Sequence, residues 1–202
     1  MRPARIRDKK MMEYKNLSLE ELLIHKTDSA AWYWLGMAYW EHNDFRDAAE
    51  WLNKTMNDPN NEWADKAAQN LGILHLGLIP NASRDEALRL FEKSIHLLVS
   101  KLHAGFLYYE GTESNPEPDG GMRYKGIRII EEVIQHLKET NGNDDYLKAD
   151  ECFKIGLMYA ESGYPTDAKE YLKKAIDRAD HNYISDRRLI EIAEEVLKDL
   201  NL

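Results

Sequence analysis

Apolar positions along the chain recur with a helical period, and one pattern returns at a fixed distance. Trp32, Leu35-Gly36 and Tyr39 are followed by Ala48, Leu52 and Thr55; 120 positions later Cys152, Ile155-Gly156 and Tyr159 are followed by Ala168, Leu172 and Ala175. Every spacing agrees without a gap. Within each set the first group marks one face of a helix and the second marks the packed stripe of another, so each set predicts a helical hairpin. The Gly and the Ala stand where the two helices approach most closely, and a larger side chain there pushes the axes apart. Two further sets carry insertions. Leu71-Gly72 and His75 lead to Ala87, Phe91 and Ser94 through a turn stretched by three residues, and Ala104-Gly105 and Tyr108 lead to Gly126, Ile130 and Val133 through a connection about nine residues longer. That connection, Gly111–Gly121, holds two prolines and three glycines in eleven residues and reads as a loop, of a length that is often functional or disordered.

The ends read as caps. Ser18-Leu-Glu-Glu21 is a capping-box pattern that opens a short helix through about His25, and Asp28 or Ser29 is placed to cap the next. Ser185–Leu200 carries one apolar stripe, Leu189, Ile192, Ala193, Val196, Leu197 and Leu200, opposite a charged face, as expected of the solubilising end helix of an array. Between Ala87 and Ala104 there is neither Gly nor Pro, so the break between helices there must be a tight turn or bend near Ser94–Lys101. The expected organisation is a flexible basic arm over 1–15 and a single domain over 16–202. Its hairpins fall at about 29–60, 61–97, 98–141 and 146–180, with a terminal helix over 185–200.

Trp-x-x-Leu-Gly-x-x-Tyr followed by spaced Ala positions, with Pro59 near the close of the first copy, resembles the tetratricopeptide repeat. The second copy, with its longer turn and its Asp85-Glu-Ala87 entry, resembles the related Sel1-like variety. The resemblance covers roughly residues 30 to 180. It implies an all-α fold: a right-handed α-α superhelix, or solenoid, of about four such hairpins with N- and C-terminal capping helices. It also implies a concave side lined by the first helix of each hairpin and a role in protein interaction.

Composition narrows the rest. With 43% hydrophobic and 31% charged residues, a mean hydropathy of −0.64 and few prolines, disorder and an all-β fold are disfavoured. Apolar runs such as Leu97–Val99 are far too short to span a membrane, and the N-terminus lacks the apolar run of a secretory signal. A lone cysteine, Cys152, forms no internal disulfide, which makes the cytoplasm the expected compartment. The 27 Lys and Arg stand against 36 Asp and Glu, a net charge of −9, and since Met1–Lys10 carries +4 the remainder carries −13. Such a body disfavours nucleic acid as a partner.

If Trp32, Leu35, Gly36 and Tyr39 pack inside their hairpin, then Tyr33, Met37, Trp40 and Glu41 face the groove. The equivalent positions are Gln69, Asn70, Ile73 and Leu76 in the second copy, Leu102, Phe106, Tyr109 and Glu110 in the third, and Phe153, Lys154, Leu157 and Glu161 in the fourth. An apolar and aromatic groove with a carboxylate rim suits an amphipathic helix or an extended peptide. Relatives that grip a C-terminal carboxylate place Lys and Asn at positions held here by Tyr33, Met37, Gln69 and Ile73, so that ligand class is not expected. No phosphate loop is present, His96 and His103 have no carboxylate or Cys at ligand spacing, and Cys152 takes a core position. No catalytic set, metal or cofactor is therefore expected. The leading reading is a non-catalytic interaction module for a peptide or partner protein; the alternatives are an acidic inhibitor that blocks a basic partner and a scaffold that associates with itself.

Overall fold

The computed structural model describes residues 13–141 and 146–200. Met1–Lys10 of the basic arm therefore lies outside the described residues. Those residues form ten α-helices and no strand: α1 (Leu19–Ile24), α2 (Ser29–Glu41), α3 (Phe45–Asn57), α4 (Ala64–Leu74), α5 (Arg84–Lys93), α6 (Leu98–Glu110), α7 (Gly120–Asn141), α8 (Ala149–Glu161), α9 (Pro165–Arg178) and α10 (Ile184–Asp199). The chain divides into two compact units, Met1–Pro118 and Asp119–Leu202. The division falls between α6 and α7, inside the third hairpin expected from the sequence, and the long connection folds back onto α5 within the first unit.

In the first unit, α1 opens on the capping box the sequence predicts. The Ser18 amide donates to Glu21 Oε2 at 2.8 Å, and the Glu21 amide donates to Ser18 Oγ at 3.3 Å. Asp28 caps α2 through Oδ1, which accepts from the Ala30 amide at 3.0 Å, while Oδ2 accepts from the Tyr14 hydroxyl at 2.9 Å. Tyr14 falls in the sequence-expected arm, yet it is buried, so the packed body begins before residue 16. Between α2 and α3 the chain reverses through Asn43 at φ 60°, and the Asp44 amide returns to the Tyr39 carbonyl at 2.9 Å.

Close approach then decides which residues fit. A Cβ at Gly36 would come within 2.8 Å of Leu52 Cγ, and one at Gly72 within 2.6 Å of the Phe91 ring, so glycine is the residue that lets each helix pair close. Leu35, Leu52, Leu74 and Phe91 are fully buried there, each worth about 1.5–3 kcal/mol in water-excluded area. The expected break after α5 is closed by a buried hydroxyl pair. Ser94 Oγ donates to the Leu90 carbonyl at 3.0 Å and lies 2.8 Å from Ser100 Oγ. His96 sits in this turn, with Nε2 3.4 Å from Asp65 Oδ2.

In the second unit, α7 begins earlier than the loop reading allows. Asp119 Oδ1 accepts from the Met122 amide at 2.8 Å, so Gly120 and Gly121 form the first helical turn instead of ending the loop. Ile130, Val133 and Leu137 of α7 are buried. α8 and α9 repeat the hairpin of the first unit, with Gly163 at φ 79°, the Tyr164 amide on the Tyr159 carbonyl at 2.9 Å, and Pro165 opening α9. α10 packs on both. Its inward face carries Ile190 and Ala193, while Ile192, expected in the stripe, is exposed, because positions 190, 193 and 197 share a side that 192 leaves.

Candidate functional site

The expected groove residues of the first unit converge on a joint between α2 and α4. Asn70 on α4 donates through Nδ2 to Tyr33 Oη at 3.2 Å and to Met37 Sδ at 3.0 Å. Trp63, just before α4, stacks on Tyr33 with centroids 4.8 Å apart and planes 16° from parallel, and meets Trp34 edge-on at 5.2 Å. The indole Nε1 atoms of Trp34 and Trp63 are buried and have no hydrogen-bond partner. The cluster fixes α2 against α4.

Beyond this joint, Met37, Trp40, Gln69 and Ile73 are half-buried and Leu76 is 38% exposed. Trp40 meets Phe45 edge-on at 6.0 Å, which holds its ring at the end of α2. Partly covered apolar side chains held in place by neighbours offer contact area at little further loss of rotamer entropy.

Four expected groove residues are not open. Tyr33, Asn70, Phe106 and Tyr109 are buried, as is Leu102 beside them in the pattern. For Tyr33 the reason is Trp63, whose ring covers it from outside the helix pattern, and this burial raises the phenol pKa against the bond from Asn70. On α6, Phe106 packs edge-on to His103 at 6.3 Å, and His103 stacks on Phe91 at 5.2 Å. In the second unit Phe153, Lys154 and Leu157 are half-buried on α8.

Two clefts lie away from these faces. In the first unit a space of about 410 Å³ is bounded by α3, α4 and α5, with Arg46, Asn53, Met56, His75 and Leu90 among its walls. The His75 Nδ1 atom is buried without a partner, and desolvation lowers the pKa of the ring. In the second unit a space of about 860 Å³ is lined by Lys148, Asp150, Arg178, Ser185, Asp186 and Leu189. Arg178 donates through Nη1 to the Leu147 carbonyl at 2.9 Å and to Cys152 Sγ at 3.0 Å, which places buried Cys152 in a packed polar contact. Among the described residues no three His, Cys, Asp or Glu side chains are grouped to hold a metal ion, and no helix is long and apolar enough to cross a membrane.

Comparison with known families places two segments. The tetratricopeptide repeat model matches residues 29–55 and 146–182, which are the α2–α3 and α8–α9 hairpins. Both matches support the tetratricopeptide repeat family, whose repeats are typically protein–protein interaction modules. No curated protein matches the chain.

Proposed function

We propose that this chain is a non-catalytic protein-interaction module, an adaptor or scaffold, that takes a peptide or a partner protein on the face shared by α2 and α4. The observation that supports it is the Asn70 bridge to Tyr33 and Met37, which fixes α2 against α4 and leaves Met37, Trp40, Ile73 and Leu76 in reach of a ligand. Tyr33 and Asn70 then act as supports beneath the contact residues. Phe106 and Tyr109 on α6 stand in the same role, and Phe153, Lys154 and Leu157 offer the corresponding face on α8. The right-handed superhelical stacking of about four hairpins, the Sel1-like character of the second copy and a cytoplasmic setting belong to this reading.

A random peptide library panned against the wild type and against Leu76→Glu tests it. Leu76 is exposed and is not part of the Asn70–Tyr33–Met37 joint, so the variant is expected to stay folded. The proposal expects enriched peptides with apolar anchors that bind the wild type and lose at least about tenfold affinity for the variant. Equal binding to both would place the contact elsewhere.

A second reading, an acidic surface that blocks a basic partner, is favoured by the α2–α3 turn. Asp44, Asp47 and Glu50 lie close enough to Tyr39 to add to the burial that raises its phenol pKa. Such a complex weakens steeply from low to moderate salt, whereas an apolar contact weakens little. Self-association is separated from both by sedimentation, since a chain that stays monomeric at every accessible concentration removes it.

A further inference from the structure

The connection after α6 is tied to the start of α5 by two carboxylates that bond in opposite directions. Glu113 reaches back 29 positions: Oε1 accepts from the Arg84 amide at 2.8 Å, and Oε2 accepts from the Asp85 amide at 2.8 Å and from Ser83 Oγ at 3.3 Å. Asp85 answers from the helix. Its Oδ2 accepts from the Ser114 amide at 3.0 Å and from Ser114 Oγ at 2.7 Å, and Thr112 donates to the same carboxylate. The donors are backbone amides and hydroxyls rather than cations, so each bond depends on the charge of one carboxylate. Glu113 also supplies the negative charge that a helix N-terminus favours, from a residue outside the helix.

The two bonding residues of the connection, Glu113 and Ser114, are exposed and Asp85 is half-buried, while Thr112 and the ends of the stretch, Gly111 and Pro118, are buried. The charged groups around this joint are Arg84, Glu86 and Arg89 on α5, Glu110 on α6 and Glu117 on the connection. Arg84 pairs with Glu110 at 2.7 Å, and Arg89 bonds Glu86 through Nε at 2.7 Å. The path that brings Glu113 into place turns at Gly111, at φ 96°, where a Cβ would come within 2.5 Å of the Asn115 carbonyl oxygen. The tied stretch ends at Pro118, where the first unit ends.

We propose that Asp85 and Glu113 form a releasable clasp that holds residues 111–118 on the start of α5. Closed, the first unit keeps this stretch as part of its own surface; open, the stretch leaves α5.

Amide hydrogen exchange and limited proteolysis of the full chain test the clasp, with E113Q, D85A and G111A beside the wild type. The amide side chain introduced by E113Q has one acceptor oxygen for two backbone amides and turns its own N–H groups toward the other. Gly111→Ala opens the path from the other side with both carboxylates intact. The expected result in all three is exchange at least about tenfold faster at Arg84, Asp85 and Ser114 and new cleavage within 111–118, with exchange over α2 and α3 unchanged. In the wild type, acidification below the ordinary carboxylate range produces the same local release. Unaltered exchange and cleavage in folded E113Q and D85A would overturn the proposal. So would protection lost evenly through α2 and α3, because the carboxylates would then serve global stability and not a local latch.

Discussion

The hairpins α2–α3 and α8–α9 share a backbone and differ in nearly everything laid on it. Their helix starts at Ser29 and Ala149, their ends at Glu41 and Glu161, and their left-handed turn residues Asn43 and Gly163 are all 120 positions apart. Gly36 meets Leu52, and Gly156 meets Leu172, at the same 2.8 Å for an added Cβ. The side chains around this frame diverge. Ala31 corresponds to Glu151, Trp32 to Cys152 and Asp58 to Arg178. The comparison separates what the hairpin requires, which is steric and local, from what each unit adds, which is polar and particular to it.

The largest expected effect tests the shared part. Leu52→Ala and Leu172→Ala should each cost about 2–5 kcal/mol, because each removes a fully buried side chain from a site held open by a glycine contact. Chemical denaturation of the two variants checks this, and a negligible cost in one hairpin would break the equivalence. Next comes a residue found in one copy. Arg178→Met leaves the Leu147 carbonyl without its donor and should cost about 1–3 kcal/mol, whereas Asp58→Ala, at the matching place, should cost no more than about 1 kcal/mol.

The pH dependence should carry opposite signs in the two units. Glu151 is buried, and desolvation raises its pKa against the bond it accepts from the Lys148 amide at 2.7 Å. A carboxyl that binds its proton more tightly when folded contributes stability below its unfolded pKa and loses it as pH rises through the folded value. Glu151→Gln should therefore compare more favourably with the wild type at neutral pH than under acid. Glu113 is the reverse: bonds from the Arg84 and Asp85 amides lower its pKa, so its contribution is present above the unfolded value and lost as pH falls through the folded one. Glu113→Gln should speed amide exchange at Arg84 and Asp85 at neutral pH and converge on the wild type in acid. Denaturation midpoints across pH for Glu151→Gln and local exchange across pH for Glu113→Gln distinguish these slopes, and parallel slopes would contradict the assignment. The smallest effect lies in the turns, where Gly163→Ala should cost about 1 kcal/mol and Asn43→Gly should stay within a few tenths, since glycine accepts the positive φ that alanine resists.

The same division explains what could be read from sequence. The Gly-Leu and Gly-Phe contacts obey a local rule of spacing, so the first helices α2, α4 and α8 were legible in the residue pattern, as were the Ser18 capping box and the terminal helix. The placement of Tyr33 was not, because the ring that buries it belongs to Trp63 in a turn, where no helical period operates. The turn between α5 and α6 was expected near Ser94–Lys101, but not the means that makes it, the hydroxyls of Ser94 and Ser100 six positions apart. The reciprocal bonds of Asp85 and Glu113 join residues whose separation follows no repeat. Periodicity reports which faces are apolar; it does not report which loop side chain returns to cover one.

The face of α2 and α4 carries the functional claim, and methyl chemical shifts read it most directly. Titration with a peptide selected from the panned library should move the methyl signals of Met37, Ile73 and Leu76 while those of Met56 and Leu90, in the cleft bounded by α3, α4 and α5, stay in place. Shifts confined to Met56 and Leu90, with Met37, Ile73 and Leu76 silent, would contradict the account.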